Sequence, residues 1–113
     1  MNILTIDFET FYSRDFSLTK LTTEEYVRSD LFQVIGVSIK ENDNEAKWFS
    51  GTHEEILDFL SSYEWSNSFA LAHNAMFDSA ILSWRFGIKP MAWLDTLSMA
   101  RATDGLEIGR AHV

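Results

Sequence analysis

The chain has 113 residues, 46% apolar and 14% aromatic, which is enough for one domain with a real core and too much for a disordered segment. Its net charge of −8 is the wrong sign for a broad basic face gripping duplex backbone, and the absence of cysteine excludes disulfides and thiolate zinc sites. No apolar run approaches a membrane span and Met1 leads directly into a strand pattern, so no membrane partner and a cytoplasmic location are expected.

In chain order, Ile3–Phe8 reads as a mostly buried strand. A long connection follows, carrying a short helix over Thr23–Arg28 whose Thr22 and Glu25 have capping-box spacing. Phe32–Ile39 is β-rich, and the turn Glu41-Asn42-Asp43-Asn44 returns it into Ala46–Phe49, so these two strands are expected to form an antiparallel hairpin. Thr52 and Glu55 make a second capping box, opening a helix with Ile56, Phe59, Leu60 and Tyr63 on its apolar face. Phe69–Ala72 is a short buried strand. Asn74 is expected to cap a helix with Phe77, Ile81 and Trp84 on one stripe, ending at Gly87 and Pro90. A short strand is expected next, before Leu94-Asp95-Thr96 opens a last helical stretch, Leu97–Ala102. Three antiparallel strands followed by βα units imply a mixed sheet with helices against it.

Within that frame "TIDFET" raises a question. Asp7 and Glu9 share one face of a strand, because side chains repeat every second residue, and Phe8 points the other way. An ionised carboxylate is costly to take out of water without compensation. Two hard oxygen ligands at a strand end suit Mg²⁺ or Mn²⁺. Taken alone, a D-x-E pair is better explained by a solvated strand face. "ALAHNAMFD" adds a second carboxylate position, placing Asp78 one turn inside a helix that starts just after a buried strand. There it can complement the helix N-terminus or project toward the carboxylates of a neighbouring strand.

The two segments together resemble the DEDD, or DnaQ-like, 3′–5′ exonuclease superfamily. Asp7-Phe8-Glu9-Thr10 matches its first motif, and His73-Asn74-Ala75-Met76-Phe77-Asp78 its second. Leu94-Asp95-Thr96-Leu97 with Ala100-Arg101 is similar to its "DTL…AR" segment. The stretch "IDFETFYSRDFSLTKLTTEEYV…FQVIGVSIK" is most similar to the proofreading domains of phage family A DNA polymerases, and the resemblance covers residues 2–102. It implies a ribonuclease H-like fold and two divalent cations, Mg²⁺ or Mn²⁺, held by Asp7, Glu9 and Asp78 as catalytic and metal residues. It also implies that Thr10 and Asn74 contact the substrate and that Phe77 stacks on it. The implied partners are a single-stranded DNA 3′ end and a polymerase domain, within a phage protein working in the host cytoplasm. Asp95 is read as a helix N-cap in preference to a ligand.

The pattern breaks near the end. The family carries a fourth carboxylate with a tyrosine or histidine base a few residues before it, and no such motif follows Arg101. His112 has no carboxylate after it and is rejected as the base. Ile108–Val113 matches one translated frame of a common short-read sequencing adapter. A partial exonuclease domain over 1–106, lacking its last helix, and a non-native tail over 107–113 are therefore expected. The rival reading is a non-catalytic nucleic-acid-binding or structural fragment of the same fold. A resolvase- or transposase-type nuclease is disfavoured, because H-N-x-x-F-D is not its second motif.

Overall fold

The computed structural model describes residues 2–13 and 16–97. Their elements run β1 (Asn2–Thr10), α1 (Thr23–Arg28), β2 (Val34–Glu41), β3 (Lys47–Ser50), α2 (His53–Ser61), a 3₁₀ turn (Trp65–Asn67), β4 (Ser68–Ala72), α3 (Ala75–Phe86) and β5 (Ala92–Asp95). The five strands form one mixed sheet in the order β3-β2-β1-β4-β5. β1 pairs antiparallel with β2 and β2 with β3, whereas β1–β4 and β4–β5 are parallel. The expected hairpin and the expected mixed sheet with helices are both present.

Strand alternation sorts the sheet into two faces. Leu4, Ile6 and Phe8 of β1 are buried, together with Val37 and Ile39 of β2 and Ala70 and Ala72 of β4. All three helices bury their apolar side chains in the same cluster, through Tyr26 and Val27, Ile56 and Leu60, and Ile81, Leu82 and Phe86. Phe8 stacks on Phe86 with ring centroids 5.9 Å apart, and Phe49 on Phe59 at 4.8 Å. Each such side chain contributes roughly 1.5–3 kcal/mol on burial. The opposite face carries Asp7, Glu9, Lys40 and Trp48, all exposed, and the half-buried Ile3, Thr5, Phe69, Leu71 and Leu94. Among the described residues no helix covers it.

Both capping boxes form as expected. Thr22 and Glu25 close the start of α1 reciprocally, and Thr52 and Glu55 that of α2. Gly87 ends α3 in the left-handed conformation, φ 65°.

Four expectations need correction. β1 runs on to Thr10, because Glu9 pairs with Gly36 and Thr10 with Val34 across a bulge, so Glu9 lies inside the strand. Asn74 occupies the cap position of α3 but makes no side-chain cap bond, and its backbone, at φ 149°, lies outside the extended conformation of an ordinary helix N-cap. Trp84 is 41% exposed and lies under the Arg28 guanidinium, so the buried stripe of α3 runs through Asp78, Ile81, Leu82 and Phe86 instead. Finally, the expected short strand before the last helix is present as β5, but it runs on through Leu94 and Asp95, paired with Leu71 and Ala72, and helix begins at Thr96. The remainder of the expected last helix and the expected tail, 107–113, lie outside the described residues.

Candidate functional site

The carboxyl ends of the three parallel strands β1, β4 and β5 lie side by side, the usual place for a ligand in an open α/β sheet. β1 and β4 pair only as far as Thr5 and Leu71. Beyond that point β4 turns through His73 and Asn74 into α3, while β1 continues for five residues with no strand on that side. The first turn of α3 fills the gap. Oδ1 of Asp78 accepts the backbone N–H of Phe8 at 3.3 Å, which brings the Asp78 carboxylate beside Asp7.

Asp78 is 5% exposed, one of two buried polar or charged residues among those described. Burial pushes its carboxyl up to about 7. The N–H groups of Phe8 and of Asp78 itself oppose that rise, and the negative charges of Asp7 and Asp95 add to it. Asp7 of β1 and Asp95 of β5 thus both act on Asp78, which stands in the first turn of α3. Asp95 also performs the capping role read from the sequence, since its Oδ1 accepts the Leu97 N–H at 3.0 Å. Its neighbourhood to Asp78 was not foreseen. The signal was the register of Leu94-Asp95 as a strand beside Leu71-Ala72, which no local pattern discloses.

The other expected site residues are placed as follows. Asp7 and Glu9 stand exposed on the open face of β1, as strand alternation requires. Thr10 points to the helix side, where its hydroxyl shares a 2.9 Å hydrogen bond with the Tyr26 hydroxyl. Tyr26 in turn donates to the Phe11 carbonyl, so one buried phenol pins the strand end. Asn74 is exposed, with its backbone carbonyl taking the N–H groups of Phe77 and Asp78. Phe77 is half-buried, packed against the core with its ring 6.1 Å from that of Tyr26. Beside them the exposed His73 bonds Thr96 through Nδ1 at 2.9 Å, tying the turn after β4 to the end of β5.

Chemically the donor set is carboxylate oxygen, which suits a hard divalent cation. The buried Asp78 carboxyl, facing two other acids and accepting N–H bonds, is where a cation would relieve the most repulsion. The structure draws Asp7, Asp78 and Asp95 toward one place, with Glu9 further along the same face of β1. Among the described residues, no group of three or more His, Asp or Glu side chains is spaced to hold a metal ion. Also among the described residues, no helix is long and apolar enough to cross a membrane. No family model matches the chain, and no curated protein or solved structure does so either.

Proposed function

We propose that this chain belongs to a 3′–5′ exonuclease domain of the DEDD superfamily, with a ribonuclease H-like fold, acting on single-stranded DNA 3′ ends as the proofreading unit of a phage polymerase. The observation that carries the reading is Asp78. A helix-borne aspartate, distant in sequence, is buried against the N–H of the residue that separates Asp7 from Glu9. The mixed strand order and the carboxyl-end placement of the acids are compatible with it.

On this reading Asp7, Glu9 and Asp78 hold two divalent cations, Mg²⁺ or Mn²⁺. When bound, these supply neutralisation of phosphate charge and acidification of the attacking water. The chain's own part is positioning. Asp7 and Glu9 present their oxygens from a strand fixed by pairing on β2. The Phe8 N–H fixes the Asp78 carboxyl group, and the carboxyl gives up its proton once positive charge is beside it. The exposed Asn74 flanks the acids as a substrate contact, while Thr10, its hydroxyl held by Tyr26 on the helix side, would meet substrate through its backbone at the end of β1. Phe77, half-buried against the core beside Tyr26, is the proposed stacking side chain. General acid–base help is worth about 10²–10⁴-fold in such hydrolyses. The family's base motif does not follow Arg101, so the 113-residue chain alone is proposed to cleave negligibly.

The test is release of labelled nucleotides from single-stranded DNA 3′ ends in Mg²⁺, by this chain and by any longer product of the same gene. Trimming by the longer form that is lost on Asp7→Ala supports the reading. A longer form that binds DNA without cutting it favours the non-catalytic alternative, and Asp7-dependent cleavage by the short chain would overturn the account of its inactivity.

A further inference from the structure

On the same sheet face as Asp7 and Glu9, two strands away, stands a tryptophan to which the proposed chemistry assigns no role. Asp7 pairs with Ser38 and Ser38 with Trp48, so the three side chains form one row across β1, β2 and β3. Two strand spacings put the Cα of Trp48 roughly 10 Å from that of Asp7. In the adjacent row Glu9 pairs with Gly36. A Cβ at Gly36 would overlap Cζ2 and Cη2 of the Trp48 indole. The ring therefore leans off its own strand, across the bare backbone of Gly36, toward Glu9. Any larger residue at position 36 would displace it.

The indole is held on one side by that glycine, yet Trp48 is 55% exposed. An aromatic ring already ordered on a rigid sheet, with the rest of its surface in water, loses little freedom when a base stacks on it. Lys40 adds a cation. It pairs with Thr5, so it projects from the same face in the row on the other side of Trp48 from Gly36, and it is exposed. On an acidic chain, a lysine on the same sheet face, one row from the tryptophan's own position, complements a phosphate of the strand whose base meets the indole.

We propose that Trp48 is a stacking platform for a base of the single DNA strand whose scissile phosphate lies at Asp7 and Asp78, with Lys40 meeting a neighbouring phosphate. This rests on the nuclease reading above and names a surface that orients its substrate. An indole laid over a strand glycine also shields the sheet, and that role by itself would be indifferent to whether the strand carries bases.

The experiment measures binding of two labelled probes to the 113-residue chain in Ca²⁺: an oligothymidylate, and a strand of the same length made wholly of abasic deoxyribose phosphates. Trp48→Ala is expected to weaken thymidylate binding about tenfold, as expected for one lost stacking contact, and abasic binding less than twofold. Trp48→Phe should retain most of the affinity, and thermal melts report whether each variant is folded. Equal weakening toward both probes, or an unchanged thymidylate affinity in a folded Trp48→Ala chain that still depends on Asp7, would overturn the platform and leave the nuclease reading standing. A wild-type chain that binds neither probe would overturn both.

Discussion

The backbone N–H of Phe8 donates to Oδ1 of Asp78 at 3.3 Å, joining residues 70 positions apart. Where β4 leaves β1, an unpaired strand N–H would otherwise be buried, and Asp78 satisfies it from the first turn of α3. The same bond draws a third carboxyl group toward the Asp7–Glu9 face, at the cost of burying an acid.

That cost should be readable as pH dependence. The Asp78 carboxyl titrates near 3.8 when unfolded and at about 7 when folded. Between those values the folded chain holds a proton that the unfolded chain has released, so this residue makes stability fall as pH rises from about 4 to about 7. Asp78→Asn keeps an oxygen for the Phe8 N–H and removes the ionisation. In urea unfolding with EDTA the variant should match wild type near pH 4 and exceed it at pH 8, with a ceiling of about 4 kcal/mol. A difference that does not change with pH would rule out the buried, proton-holding acid.

Metal should reverse the sign. A ligand that binds only the folded state at one hundred times its dissociation constant adds about 2.7 kcal/mol. Mn²⁺ is therefore expected to raise the wild-type Tm by several degrees. Asp7→Asn should be more stable than wild type in EDTA, having lost one of the repelling charges, and should gain little from Mn²⁺. Calorimetric scans with and without the ion check both halves; a wild type indifferent to Mn²⁺ would remove the assignment.

Arg85 ties α3 to the end of α1. Its Nε donates to the Val27 carbonyl at 2.6 Å, an Nη2 donates to the Ser29 carbonyl, and the guanidinium lies 5.0 Å from the centre of the Phe32 ring. Arg85→Ala would leave two carbonyls at a helix C-terminus without that fork, a loss of about 2 kcal/mol. Lysine cannot reproduce two diverging donors, so Arg85→Lys should recover less than half of it in denaturant titrations.

Tyr26→Phe tests the pin at the end of β1. It removes the hydroxyl that bonds Thr10 and the Phe11 carbonyl while leaving the ring in the aromatic cluster with Phe16 and Phe32. The expected cost is about 1–2 kcal/mol, together with faster amide hydrogen exchange over residues 9–11 than elsewhere in β1. Uniform exchange along the strand would show that the phenol contributes packing alone.

Features whose causes are local were legible in the sequence. Two capping boxes, the alternating runs of β1 and β2, the turn residues of the hairpin and the glycine after Phe86 each act within a few positions. The helices and strands therefore fall close to where those signals place them. The placement of Asp7 and Glu9 on one face follows from strand geometry in the same way. Strand ends were less legible, because Glu9 and Thr10 become strand only through their partners Gly36 and Val34. Leu94 and Asp95 likewise read as the opening of a helix until Leu71 and Ala72 lie beside them.

The sequence by itself determined the kinds of element, their order and which side chains share a face, since these depend on spacing along the chain. Tertiary structure alone decided that Asp78 would be buried on the Phe8 N–H, that Asp95 would stand within reach of its charge, that Asn74 would leave its cap unbonded, and that the Trp48 indole would cover Gly36. Desolvation, Coulomb interaction and steric contact act across a few ångströms of space. Residues as far apart as 8 and 78 meet only when β4 docks parallel to β1.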